Sequence, residues 1–161
     1  LCFKLARDFS CDFLQLDSVV GHVKPRDEAT LDAFFALERP TCTSLVLGGV
    51  RFKYQPVLSE HTVEEDIETA KGRCDAICVT GDGTGMEAPI DKIRRFKLAC
   101  GDTPLVICSG VNVDNCAEQL AVADGAVVGS FFKDTGKDTG DVSAEKIELL
   151  MQQVRALRGK L

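Results

Sequence analysis

The feature that most constrains this fold is a regular alternation of short apolar runs with segments of helical spacing. Runs such as LVIC and AICV are continuously apolar, which is typical of parallel strands covered on both faces. Each run precedes a helical pattern, so the sequence predicts five βα units. The predicted strands cover residues 11–21, 43–52, 74–80, 105–108 and 126–128. The predicted helices cover residues 27–37, a segment capped by Thr62, residues 89–99 and 113–123, and a last helix from Ser143 to Leu157.

Two parallel architectures fit this alternation: an open doubly wound sheet and part of a (β/α) barrel. A dinucleotide-binding open sheet carries its G-x-G-x-x-G turn after the first strand. Here the glycine-rich turns follow the third, fourth and fifth strands, and barrels build their phosphate site after strands 7 and 8. A whole barrel takes about 250 residues, whereas this chain has 161. The sequence therefore predicts one α/β domain, residues 1–161, that forms the last five βα units of an incomplete (β/α)8 barrel of the TIM type.

Two glycine-bearing loops follow the last two predicted strands. After the fourth strand a helix is expected to begin near Val113, with Asn112 as its N-cap and its N–H groups turned towards the barrel mouth. Either loop alone could simply end its strand, but the two in succession predict a phosphate site. The residues predicted to bind phosphate are Ser109, Gly110, Val111, Gly129 and Ser130.

The loop GDGTG, residues 81–85, ends the third predicted strand at the same face of the sheet. Asp82 and Thr84 are suited to contact a substrate or a metal, although a turn-favouring aspartate in a flexible loop is the alternative. The predicted substrate loop consists of Gly81, Gly83, Thr84 and Gly85.

Charged side chains at the ends of the first two strands are candidates for acid–base work. Asp17 lies two residues after Gln15, so both point to one side, which is the barrel lumen if Phe13 also faces inward. Lys53 follows the second strand and can serve as a cation or an acid. We therefore predict Asp17, Lys53 and Asp82 as catalytic residues.

The two histidines add little to this picture. His22 follows a strand end and could reach the mouth, whereas His61 precedes a helix as a surface residue. Two loop histidines support no Ser-His-Asp or Cys-His arrangement.

Composition limits the classes of partner and ligand that the chain is expected to bind. The net charge is −6 without a dense basic run, which argues against nucleic acid but not against a small phosphorylated ligand. No apolar run approaches the about 20 residues of a membrane span. The first residues, LCFKLARDF, carry charges that do not fit a signal peptide and are typical of a helix end, so we expect the chain to begin within a larger protein.

Eight cysteines are present, but their positions do not predict a disulfide framework. They fall inside strand and helix patterns without a CxxC pair, so we expect reduced structural thiols in a cytoplasmic protein. A zinc site at Cys74 and Cys78 is a weaker alternative, because no second ligand pair has suitable spacing. The sequence identifies no cofactor and no metal ligands.

Three segments resemble the BtpA/SgcQ family: DAICVTGDGTG (residues 75–85), TPLVICSGVNVDN (103–115) and VADGAVVGSFFK (122–133). The resemblance implies a TIM barrel and a link to photosystem I or membrane-complex biogenesis. Family members tend to carry Asp in the fifth strand and a Lys-His pair after it. Here Gly49 takes the place of that Asp, Lys53 is kept, and Tyr54 replaces the His.

Three functions remain open at this point. The first is a metabolic enzyme that binds a phosphorylated small molecule, and the second is a non-catalytic assembly factor that keeps the anion site. The third, weaker hypothesis is a flavin or nucleotide-phosphate binder that uses the same loops. Because three strands are absent from the barrel, we also expect homo-oligomers, or association through the open edge of the first strand.

Overall fold

The computed structural model describes residues 1–20, 27–58 and 60–159. Within them the chain forms one parallel sheet with helices between the strands. The strands are β1 (Phe13–Leu16), β2 (Leu45–Gly49), β3 (Ala76–Val79), β4 (Leu105–Ile107) and β5 (Gly125–Ala126). The helices are α1 (Cys2–Asp8), α2 (Glu28–Glu38), α3 (Val63–Lys71), α4 (Ile90–Cys100), α5 (Cys116–Leu120) and α6 (Ala144–Arg158), with 3-10 turns at Arg39–Thr41 and Ser130–Phe132.

The strand order identifies the architecture. Each strand pairs in parallel with its successor, giving the order β1-β2-β3-β4-β5. An open doubly wound sheet reverses its order at a switch point, whereas sequential order with a helix after every strand is the wall of a barrel. The predicted fold class is confirmed: the chain forms five βα units of a (β/α) barrel.

The two faces of the sheet carry different cores. On the helix side, buried strand residues pack against α3 and α4 in one large cluster that includes Ile77, Leu105, Ile67 and Phe96. On the lumen side the cluster is small, consisting of Phe52, Cys78 and Cys108 with partly buried Leu47 and Val106. Most of the stabilising apolar burial therefore lies between the sheet and the helices.

The lumen face is open to solvent. Leu14 is buried, while its neighbours Phe13 and Gln15 are exposed, so alternate residues of β1 face the helices and the lumen. Phe13 pairs with Leu45, and both side chains are 58% exposed. Within the described residues, no strand pairs with the outer edge of β1.

Several element boundaries differ from the predicted ones. β1 ends at Leu16, because Ser18 donates its hydroxyl proton to Val20 O and the chain turns there. The apolar residues that extended the prediction, Val19 and Val20, are buried in the core without forming a strand. β5 begins one residue earlier than predicted and is only two residues long, because the paired segment of β4 is itself short.

Two of the predicted helix caps, Thr62 and Ser143, are in place. The Thr62 side chain accepts the N–H of Glu65, whose carboxylate accepts the N–H of Thr62, a reciprocal capping box. Ser143 caps α6 by accepting the N–H of Lys146. These caps fix where α3 and α6 begin, and therefore the length of the loops that precede them.

All eight cysteines are free thiols. The suggested zinc pair is wrong in its geometry, because Cys74 packs on the helix side and donates to Ala70 O, whereas Cys78 faces the lumen. Among the described residues, no three potential metal ligands of the His, Cys, Asp or Glu type cluster together. No helix in the described ranges is both long and apolar enough to cross a membrane.

Candidate functional site

The carboxyl ends of the five parallel strands meet at one edge of the sheet, and two adjoining clefts open there. The first, called the glycine cleft, has a volume of about 280 Å³. It is lined by the loops after β3, β4 and β5, together with Gln15 of β1 and Lys53 of the loop after β2. Its lining includes eight residues predicted from the sequence: Lys53, Thr84, Gly85, Ser109, Gly110, Val111, Gly129 and Ser130.

Four residues that line the glycine cleft carry backbone N–H groups without a hydrogen-bond partner among the described residues. In the part of the chain that the structure describes, the N–H groups of Gly110, Val111, Gly129 and Ser130 donate to no backbone carbonyl. Backbone N–H groups are almost always paired in folded proteins, with protein groups, water or a ligand. Four such donors from two loops at one cleft form a surface suited to an anion.

The two key glycines of this cleft have different physical roles. Gly110 has a φ of 70°, and a Cβ there would overlap the backbone of Glu87, so glycine is needed for the loops to pack. Gly129 has a negative φ, and a Cβ there would meet nothing within 4 Å. Gly129 therefore borders open space in the cleft.

Hydrogen bonds join the loops around the cleft. Ser109 is buried, and its Oγ accepts the N–H of Gly81 at 2.7 Å. The Tyr54 hydroxyl accepts the N–H of Thr84 at 2.7 Å. Hydrogen bonding with the Thr84 side chain, and then with this N–H, lowers the pKa of Tyr54. A Cβ on Gly85 would lie 3.2 Å from Ser130 Oγ, so the loops after β3 and β5 touch.

Tyr54 is thus a positioning residue that sequence reasoning missed. The sequence marked it only as a departure from the family's histidine, yet its hydroxyl holds the GDGTG loop. Its φ of 61° lies in the left-handed region, which a non-glycine residue adopts at a cost. No local pattern signals this contact, because 30 residues separate Tyr54 from Thr84.

The predicted helix start at Val113 is wrong. Helix α5 begins at Cys116, and residues 113–115 form a turn before it. Asn112 still acts as a local cap, because its Oδ1 accepts the N–H groups of Asp114 and Asn115. Its own N–H donates to Asn115 Oδ1. These N–H groups are therefore satisfied inside the turn and are not directed to the mouth.

The second cleft, called the lysine cleft, has a volume of about 630 Å³ and lies beside the loop after β2. Lys53 lines both clefts, whereas Asp82 lines only the lysine cleft. Gln55 also lines it, with a buried Oε1 that accepts no hydrogen bond from the described residues. A buried amide oxygen of this kind calls for a donor from a water or a bound molecule.

Asp17 stands apart from both clefts. It is exposed just beyond β1 and is not among the described residues that line either cleft. A hydrogen bond from Cys78 lowers the pKa of Cys108; Lys53 also lowers it, while burial and Asp17 raise it. Lys53 and Asp17 thus both influence the lumen thiols, but the structure does not gather the three predicted catalytic residues in one cleft.

Lys92 is a second residue that the sequence analysis missed. It lies half-buried in the first turn of α4, lines the lysine cleft, and donates from Nζ to Thr80 O at 2.7 Å. Burial lowers the pKa of its ammonium group, while the negative charge of Asp82 opposes that change. The positive end of the helix dipole disfavours a lysine so close to the helix N-terminus. This unfavourable placement is the signal by which the sequence could have identified Lys92.

The structure describes one of the two histidines. His22 lies outside the described residues. His61 Nδ1 is 3.8 Å from the Asp66 carboxylate, and the imidazole is largely exposed beside the start of α3, in agreement with a surface position.

The model of the BtpA family matches residues 37–156, which include the loops of both clefts. The chain belongs to the BtpA family. An uncharacterized protein of Pyrococcus horikoshii is 33% identical over 163 residues, covering 97% of this chain and 61% of that protein. The sgc region protein SgcQ of Escherichia coli is 32% identical over 84 residues, 52% of this chain and 31% of SgcQ. The chain spans 31% to 61% of the lengths of the curated relatives it matches.

Solved structures agree with the barrel assignment. Phosphoribosyl anthranilate isomerase from Thermus thermophilus superposes with a TM-score of 0.62 at 18% identity, over 97% of this chain and 66% of that one. Thiamine phosphate pyrophosphorylase from Pyrococcus furiosus gives 0.61 at 17% identity, over 96% of this chain and 65% of that one. At such identities the likeness shows the fold alone. This BtpA-family chain corresponds to about two thirds of each barrel protein.

Proposed function

We propose that this BtpA-family chain binds the phosphate group of a small metabolite in the glycine cleft. The observation that carries the proposal is the set of four unpaired N–H groups at Gly110, Val111, Gly129 and Ser130 around one cleft. Such backbone donors bind phosphate without a basic patch, which agrees with a net charge of −6. The hydroxyls of Ser109 and Ser130 are further candidate contacts.

A metabolic enzyme is the activity class that this site supports best. Two structures with the same fold carry names that refer to phosphorylated compounds, the isomerase and the pyrophosphorylase described above. Lys53 lines both clefts, so it is placed to act on the part of a ligand that extends from the phosphate. We assign acid–base roles to Lys53 and Asp82, and to Asp17 from the lumen side. The free thiols fit a reducing compartment, and we propose the cytoplasm.

A non-catalytic assembly or biogenesis factor is the second candidate. The feature that favours it is the departure at Gly49 and Tyr54 from the aspartate and histidine that the family resemblance implies. The anion site does not depend on either residue for its backbone donors. The enzyme would be favoured over this candidate if the parent protein turned over a phosphorylated substrate and Lys53→Met abolished that turnover.

Gly129→Asp tests the phosphate site. The new side chain enters open space, so the fold is expected to persist while a carboxylate occupies the place of the phosphate. Like charges forced together cost several kcal/mol, so the affinity for inorganic phosphate should fall by about 100-fold. Isothermal titration calorimetry with inorganic phosphate and sugar phosphates measures the change.

Gly125→Asp is the matched control. Gly125 lies in β5, four residues before Gly129, and a Cβ there also meets nothing within 4 Å. It is not among the described residues of the glycine cleft, so phosphate affinity should be kept. Absence of phosphate binding to the parent protein, or equal losses in both variants, would refute the site.

Self-association is a separate proposal that follows from the open sheet. The outer edge of β1 has no partner among the described strands. Apolar residues on the lumen side are exposed both near this edge, at Phe13 and Leu45, and at the other end of the sheet, at Val127. Unpaired edges with apolar faces invite pairing with another chain. We expect concentration-dependent dimers or larger species in sedimentation velocity, and a monodisperse monomer throughout would contradict this.

A further inference from the structure

Lys92 has no role in the function proposed above, yet its position is costly. It is half-buried, and no carboxylate of the described residues lies within ion-pair distance of its ammonium group. It is the third residue of α4, where the positive end of the helix dipole disfavours a cation. A lysine at an exposed position elsewhere would avoid both costs, which points to a use for the charge at this place.

Thr80 ties Lys92 to Lys53. Thr80 is fully buried and lies directly after β3. Its carbonyl oxygen accepts a hydrogen bond from the Lys92 ammonium, and its Oγ1 accepts one from the backbone N–H of Lys53 at 2.8 Å. The Lys92 ammonium makes this single hydrogen bond within the described chain and lies 5.8 Å from the centre of the Phe96 ring, so its three N–H groups are not all used in hydrogen bonds. Both lysines line the lysine cleft, and Lys53 continues into the glycine cleft.

The backbone that carries Lys53 is held in an unusual conformation. Arg51 and Tyr54, which lie on either side of it, have φ angles of 49° and 61°. Left-handed non-glycine residues persist where the surrounding structure imposes them, often around functional sites. Here they fix the loop that places Lys53 between the two clefts.

The charge balance of the lysine cleft leaves the two lysines largely uncompensated. The other two cations in its lining are neutralised, Arg51 by Asp66 and Arg95 by Glu64. Both aspartates of the lining are exposed, and one of them, Asp91, is paired with Arg94. Asp82 is the remaining carboxylate, and its charge acts on Lys92 without forming an ion pair with it. Two lysines therefore face one aspartate, and the surplus is positive.

We propose that the lysine cleft is a second anion subsite, formed by Lys92 and Lys53, beside the phosphate site. The ligand is then a small metabolite with a phosphate at one end and a second anionic group, such as a carboxylate, at the other. This inference rests on the proposed function, because it assumes that the first anion lies in the glycine cleft. The two clefts share Lys53, which would contact the middle of such a ligand.

A pair of three-carbon ligands tests the proposal. Both ligands carry a phosphate at one end of the carbon chain. At the other end, glycerol 3-phosphate has a neutral alcohol, whereas 3-phosphoglycerate has a carboxylate. Calorimetry with the parent protein should show about tenfold tighter binding of 3-phosphoglycerate, since a charge-assisted hydrogen bond is worth roughly that factor. In Lys92→Met the advantage should disappear, while the affinities for glycerol 3-phosphate and inorganic phosphate stay unchanged.

Lys97→Met is the matched control, because it removes the same charge from the same helix. Lys97 pairs with Asp124 and lines a different cavity, so the preference for 3-phosphoglycerate should be kept. Loss of the preference in both variants would show a long-range effect of net charge and overturn the subsite.

The outcomes separate this inference from the proposed function. If both three-carbon ligands bind the parent protein equally well, the second subsite is wrong and the phosphate site stands. If neither ligand nor inorganic phosphate binds, the proposed function is wrong and the second subsite falls with it. The ratio of the two ligand affinities is measured in the parent protein alone. It therefore tests the second subsite even if Lys92→Met fails to fold.

Discussion

Replacement of Gly49 by aspartate is expected to lower the free energy of unfolding by about 3 kcal/mol or more, because it both overpacks the site and buries a carboxylate. Gly49 is buried at the end of β2. A Cβ there would lie 2.7 Å from the carbonyl carbon of Asp17 and 2.8 Å from the Phe52 ring. The first of these neighbours is backbone, which cannot swing aside. Urea unfolding followed by circular dichroism measures the change.

The control for this variant is again Gly125→Asp, where a Cβ meets open space. It introduces the same carboxylate into the same sheet and should change the free energy of unfolding far less. The family resemblance implies an aspartate at the position of Gly49, so the variant also tests whether this chain can accommodate one. We expect that it cannot, because the Asp17 carbonyl occupies the space. An unfolding midpoint equal to that of the parent protein would contradict this packing.

Replacement of Arg51 by methionine is expected to lower the free energy of unfolding by about 3–5 kcal/mol, the usual cost of leaving a buried charge without its partner. The Asp66 side chain is 3% exposed, and its Oδ2 accepts a hydrogen bond from Arg51 Nε at 2.8 Å. Arg51 also donates to the carbonyl oxygen of His61. The variant would therefore leave the Asp66 carboxylate buried in α3 with the largely exposed His61 imidazole, 3.8 Å away, as a weaker neighbour, and it would release the loop that carries Lys53.

Arg95→Met provides the comparison, since Arg95 pairs with Glu64 two residues before Asp66. Both partners are more than half exposed, and exposed ion pairs contribute little to stability. Urea unfolding should therefore separate the two arginine variants clearly. Similar midpoints for both would mean that the Arg51–Asp66 pair does not stabilise the end of β2. Loss of Arg51 should also weaken ligand binding at the lysine cleft, because Lys53 is two residues away.

Much of the fold could be predicted from local patterns. The continuous apolar runs and their spacing gave the five strands and their parallel pairing, and glycine positions favoured a barrel over an open sheet. The caps at Thr62 and Ser143 were predictable because their partners lie three residues away. Boundaries were less accurate, because Val19 and Val20 are buried through tertiary packing and not as part of a strand.

The candidate site was predictable only in part. The loops after the last two strands could be chosen because parallel strands present their carboxyl ends at one edge. The helix start at Val113 was misplaced, because Asn112 and Asn115 exchange hydrogen bonds that close a separate turn before α5. The predicted catalytic residues were chosen one by one from strand ends, and the structure distributes them over two clefts and the lumen.

The sequence by itself determined the βα alternation, the barrel class, the family and the two glycine loops, because each depends on residues close together in the chain. Only the tertiary structure decided that Gly129 borders open space while Gly110 packs against Glu87. It also decided that Tyr54 holds the GDGTG loop and that Thr80 joins Lys53 to Lys92. These contacts link residues 12 to 30 positions apart, and local propensity carries no information about such distances. They arise from strand pairing, which brings the loop ends together.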